Sequence, residues 1–146
     1  CEYFRILRTR RPELPLMISS LRWKYFWLAI WIFGMGIGMY LSLMPTTPRE
    51  VVIPHLDKLI HGSSYALLAT FAGCIFEQKS ARYKALLWLV LYGGLIEIAQ
   101  GTLPTGRTME FADFIANSVG VGIGAFVASR WNGLLAIEKT ISLRNN

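Results

Sequence analysis

Charge is missing or nearly missing from four long stretches of this chain. Tyr25 to Met44 is a run of twenty residues without Asp, Glu, Lys or Arg. Leu59 to Phe76 gives eighteen more, with His61, Tyr65 and Cys74 as their titratable groups. Ala85 to Leu103 gives nineteen, with Glu97 as the single acid. Phe111 to Trp131 gives twenty-one, with Asp113 near one end and Arg130 near the other. A helix needs about 20 mostly apolar residues to cross a hydrocarbon core of ~30 Å. The pattern therefore predicts an all-α polytopic membrane protein, a bundle of four transmembrane helices. The second run is the weakest, being short and carrying Gly62, Ser63 and Ser64 near its start. A soluble helical bundle would show a polar stripe along each helix, whereas these runs are apolar all round. Pro45 and Pro48 end the first helix after Met44, and Pro104 with Gly106 makes a turn after the third.

Composition agrees with the pattern. Of 146 residues, 53% are hydrophobic and 16% are charged, against ~25% charged in soluble domains. So apolar and aromatic a chain is not intrinsically disordered, and its length fits one domain. The basic residues then set the orientation. Arg5, Arg8, Arg10, Arg11, Arg22 and Lys24 precede the first run; Lys79, Arg82 and Lys84 lie between the second and third; Arg130, Lys139 and Arg144 follow the fourth. Arg49, Lys58 and Arg107 occupy the two other connections. With four spans, the twelve fall on one side and the three on the other. Positive residues stay cytoplasmic, so both termini are expected inside. The chain divides into a basic cytoplasmic segment 1–24, a membrane domain 25–131 and a cytoplasmic tail 132–146. The net charge of +6 is then a topology signal and a contact for anionic headgroups, not a nucleic-acid surface. No cleavable signal-peptide pattern precedes Tyr25, and Cys1 and Cys74 make neither a disulfide framework nor a metal motif.

Under this topology the polar residues gather at one depth. Asp57, His61 and Tyr65 share a helix face at four-residue spacing, and Glu97 and Gln100 do so at three. Arg107 and Glu110 occupy the outer loop, and Asp113 and Asn117 open the fourth helix, on a stripe continued by Gly120 and Gly124. Ionisable groups in a span rarely face lipid, so these residues are expected to converge inside the bundle near its outer boundary. Gly34, Gly38, Gly93, Gly94, Gly120 and Gly124 read as close-packing positions between helices.

The ordered set Asp57-Lys58-x-x-His61-x-x-x-Tyr65, Glu97-x-x-Gln100 and Arg107-x-x-Glu110-x-x-Asp113-x-x-x-Asn117-x-x-Gly120 resembles the VanZ-like family from about Asp57 to Gly124. Glu110 stands where that family often has Asp. The family takes its name from an accessory membrane protein of teicoplanin resistance. The resemblance implies an integral protein of the bacterial cytoplasmic membrane and a part in envelope biology. It brings no settled activity and no cofactor.

The residues themselves carry three readings. As a ligand site, Arg107 offers a planar fork of donors suited to phosphate or carboxylate, and Lys58 adds a point charge. Gln100, Asp113, Asn117 and Tyr65 complete the binding set. His61, with Asp57 or Glu97, is the natural choice for acid–base work. The expected ligand is a membrane lipid, a lipid-linked phosphate or a cell-wall precursor. As a structural network, three acids and two cations pair off and hold the helices together, leaving a non-catalytic module that serves a partner complex. A divalent metal at Asp57, His61, Glu97 and Asp113 is the weakest reading, because no established zinc signature is present, and no metal ligand is assigned.

Overall fold

The computed structural model describes residues 21–45, 56–104, 106–131, 134, 137, 138, 140 and 141. Four helices follow one another: α1 (Lys24–Leu43), α2 (Leu56–Ile75), α3 (Lys79–Thr102) and α4 (Phe111–Arg130). There is no strand among the described residues. The basic positions Arg5, Arg8, Arg10, Arg11, Arg49, Lys139 and Arg144, together with Pro48, lie outside the described residues.

Two of the helices, α1 and α3, end where the sequence says they must. Met44 (ψ 131°) and Leu103 (ψ 150°) are extended, and each precedes a proline. A following proline excludes the helical basin for the residue before it. Gly106, at φ 72°, turns the chain into α4. The helices α2 and α3 begin earlier than their apolar runs, at Leu56 and Lys79. Their polar first turns are helical too, because an interfacial turn can be solvated without losing its backbone bonds.

Three helices, α1, α3 and α4, are long and apolar enough to cross a membrane. α2 has the length, 20 residues, which at 1.5 Å each is about 30 Å. It falls short in apolarity because it carries Asp57, Lys58, His61, Ser63, Ser64 and Thr70. Packing accounts for that composition. α2 and α3 each touch every other helix, with α1 on one side of the pair and α4 on the other.

The α2–α4 seam is the closest. A Cβ on Gly120 would overlap the Gly62 carbonyl, and one on Gly124 the Ala66 carbonyl. A Cβ on Gly73 would overlap the methyl group of Ala128. Small residues thus let the two backbones touch. Thr70 Oγ1 lies 2.8 Å from the Ala66 carbonyl of its own helix and 3.3 Å from the Gly124 carbonyl across the seam, its one proton shared between them. Of the glycines expected to pack, Gly38 meets no neighbour within 4 Å.

α1 is held more lightly, with Trp31 and Met35 as its buried residues. Trp31 Nε1 donates to the Leu68 carbonyl at 2.9 Å, and Tyr92 donates to the Met35 carbonyl at 2.8 Å. The apolar core (Leu21, Trp31, Ala72, Ile75, Ala85, Leu89) occupies the end of the bundle away from the polar residues. At that end Glu138 closes the start of α1. Its Oε2 accepts from the Arg22 N–H at 2.8 Å, and its Oε1 accepts from Trp23 N–H at 3.1 Å and Trp27 Nε1 at 2.9 Å. A carboxylate there meets orphan amides and the positive end of the helix dipole. Around the bundle, large apolar side chains such as Phe33, Leu59, Leu67, Phe111 and Phe126 stand exposed, as a surface wetted by lipid requires.

Candidate functional site

The first turns of α2 and α4 meet at the polar end. Asp57 begins α2 and is exposed; His61 follows one turn later at 8% exposure, and Tyr65 one turn after that is buried. Asp113 lies in the first turn of α4, where the helix dipole favours an acid, and Asn117 is one turn below it. Between the two helices lies Lys58. Its Nζ is 2.8 Å from Glu110 Oε2 and 3.1 Å from Asp113 Oδ1. This ties the α2 start to the α4 start, a link that the order of residues alone did not mark. Glu110 belongs to the Arg107–Gly120 motif, so its spacing from Asp113 was the available signal.

The His61 ring approaches Asp57, with Nε2 at 3.7 Å from Oδ1. That is an ion-pair distance rather than a hydrogen bond. Donor atoms of Asp57, His61 and Asp113 all lie within 4.8 Å of one another. Glu97, at 1% exposure, sends Oε2 toward the Glu110 N–H at 3.3 Å, while its Oε1 has no hydrogen-bond partner among the described residues. Both amide atoms of Asn117, itself 1% exposed, and the Tyr65 hydroxyl are also unsatisfied there. Buried polar atoms without partners are rare in proteins and call for a physical account.

Gln100 and Arg107 turn to the end of α1. Gln100 Nε2 donates to the Ser42 carbonyl at 2.8 Å, and Arg107 Nε donates to the Met44 carbonyl at 3.3 Å. The last carbonyls of a helix lack intrahelical donors and carry its negative pole, so an amide and a guanidinium are apt caps.

Between α1, α2 and α3 lies a cavity of about 230 Å³. Leu41, Ile60, Leu68 and Ile96 form its apolar wall, and Asp57, His61, Ser64 and Arg107 its polar one. Gly38 lines it, which explains why no side chain lies near that glycine. Glu97, Gln100, Lys58, Asp113 and Asn117 are not on its wall. The nine residues singled out in the sequence therefore come to one end of the bundle but in three neighbourhoods: the cavity, the α2–α4 junction and the α1 cap. Gly38, Ser42 and Tyr92 were not singled out as lining residues. They sit inside apolar runs, where no spacing marks them.

No solved structure matches the chain. The profile of the family described as VanZ/LLP1 matches residues 16–134. Among the described residues three helices are long and apolar enough to cross a membrane, and with a family match over most of the sequence they lead to one conclusion: this multi-pass membrane protein belongs to the VanZ-like family.

Proposed function

We propose that this protein spans the bacterial cytoplasmic membrane four times, with both termini in the cytoplasm. In this reading it binds an amphiphile with an anionic headgroup, a lipid or a lipid-linked cell-wall precursor. The observation that carries the proposal is the cavity between α1, α2 and α3, apolar on one wall and bearing Arg107, His61 and Asp57 on the other. Hydrocarbon suits the first wall. Arg107, steadied through Nε on the Met44 carbonyl, is the electrostatic anchor for phosphate or carboxylate. Lys58 keeps the α2–α4 junction closed against Glu110 and Asp113. α2 serves as the fourth span, its polar face satisfied by its neighbours instead of by lipid.

A second reading draws on the interhelical pairing. Lys58, Gln100 and Arg107 all make contacts between elements, as they would in a non-catalytic module that holds a partner complex. Gly38 separates the two. Gly38→Leu puts a side chain into the cavity while leaving every ionisable group in place, and its Cβ has room, since a Cβ there meets nothing within 4 Å. Under the binding proposal, the purified variant keeps its thermal transition but loses retention of anionic lipid relative to wild type, read by native mass spectrometry. In cells, any contribution to teicoplanin tolerance should vanish with it. Undiminished lipid retention in a folded Gly38→Leu protein would leave the structural module standing instead.

A further inference from the structure

The polar end holds more acid than an anion site needs. Asp57, Glu97, Glu110 and Asp113 stand against Lys58 and Arg107. Donor atoms of Asp57, His61 and Asp113 lie within 4.8 Å of one another, and Glu97 reaches the Glu110 N–H at 3.3 Å, so the acids share one neighbourhood. Part of this cluster has the composition of a metal shell. Imidazole and carboxylate together suit zinc-class ions, and the Asp57–His61 pair, one helical turn apart, offers two of the donors from one face of α2.

We propose that Asp57, His61 and Asp113 form a site for one divalent ion of the zinc class, with its remaining coordination position facing the cavity. A tetrahedral shell with ~2.1 Å bonds spaces its donor atoms ~3.4 Å apart. His61 Nε2 and Asp57 Oδ1 stand 3.7 Å apart, close to that edge, and all three donor atoms fall within 4.8 Å. Small side-chain rotations close the remainder. Asp57 and His61 both line the cavity, so the open position looks into it. Three protein ligands and one open position is the arrangement of a reactive site, as opposed to a closed structural one.

The unsatisfied buried atoms give an independent reason. A metal-bound histidine donates its other ring N–H to an outer carboxylate or carbonyl. Glu97 has the acceptor to offer, since its Oε1 is buried and unpartnered among the described residues. Asn117 lies between Asp113 and Gly120, and Gly120 packs on Gly62, the residue after His61. Its amide, with both polar atoms unsatisfied, is therefore at the level of the imidazole, on the α4 side of the three ligands. Lys58 occupies Asp113 in the ion-free arrangement and has a second partner in Glu110. Ion entry moves Lys58 fully onto Glu110 and leaves the Asp113 carboxylate to the metal.

The site stands on this geometry and not on the headgroup proposal, and the two are measured apart. The full chain in a neutral maltoside detergent, without lipid or phosphate, is titrated with Zn²⁺ by calorimetry. Lipid retention is measured separately in EDTA. The expected result is one Zn²⁺ per chain, weakened more than ~100-fold by His61→Gln and by Asp57→Asn, beyond the range for losing an outer-shell partner. Ser63→Ala, on the other side of α2, should bind as wild type does. Lys58→Met removes the competing cation and should bind more tightly. Co²⁺ in place of Zn²⁺ should give a visible absorption band that His61→Gln abolishes. Asp57 is exposed, so Asp57→Asn keeps the test valid even where His61→Gln fails to fold. No stoichiometric Zn²⁺ binding, equal affinity in Asp57→Asn, or weaker binding in Lys58→Met would overturn the site.

Discussion

At the scale of single residues, the ends of the helices are finished by side chains from far along the sequence. Glu138 reaches the start of α1 from more than a hundred residues away, and Gln100 and Arg107 reach its end. Partial burial works to raise the Glu138 carboxyl, but the N–H donors of Trp23, Trp27 and Arg22 and the Arg22 charge outweigh it and hold the group below its ordinary 4.5. A carboxyl held low in the fold stabilises it above the unfolded value and ceases to do so as it is protonated. Glu138→Gln is therefore expected to lower stability at neutral pH. The difference from wild type should shrink as pH falls below about 4.5, as tracked by unfolding in detergent at a series of pH values. A constant difference across that range would mean that the carboxylate charge is not what Glu138 contributes.

At the scale of elements, the seam between α2 and α4 sets the geometry of the polar end, because it fixes how near Asp57 and His61 come to Asp113. Gly120 and Gly124 lie against backbone, where nothing can yield easily. Gly120→Val is expected to destabilise the bundle by about 1–3 kcal/mol, the usual range for overpacking. Gly122→Val is the matched control, because a Cβ at Gly122 meets nothing within 4 Å. Reversible unfolding in mixed micelles compares the two, and equal effects would show that the seam is not rigid. The seam glycines of α4 were legible in the sequence as a stripe continuing Asp113 and Asn117. Their partners Gly62 and Ala66 were not, since small residues in an apolar helix mark a close approach without naming what approaches.

At the scale of the whole molecule, the polar ends of all four helices meet, with Ser42, Asp57, Gln100 and Asp113 at one level. In the four-span reading that level faces outward. Thr108 and Tyr83 are exposed and lie near the two turns that the topology places on opposite sides. With the native cysteines replaced, Thr108→Cys is expected to react with an impermeant maleimide in intact cells. Tyr83→Cys should react only after permeabilisation. The reverse pattern would invert the protein and move the polar end to the cytoplasm. Equal labelling of both would mean that the chain does not cross between them.

The linear sequence determined the features that local composition controls. Four helices form where long, nearly charge-free runs favour a backbone that bonds to itself, and α1 and α3 end where prolines forbid continuation. The gathering of the polar residues toward one end of the bundle was determined in the same way, since position along a helix is a count of residues. The tertiary structure decided the features that depend on rotation and contact. It set Lys58 between Glu110 and Asp113, gave Gln100 and Arg107 to the end of α1, and opened a cavity beside Gly38. Spacing along a helix says which residues share a face. Only packing says what that face meets, because each helix can turn about its axis until close contacts such as Gly120 on Gly62 leave a single fit.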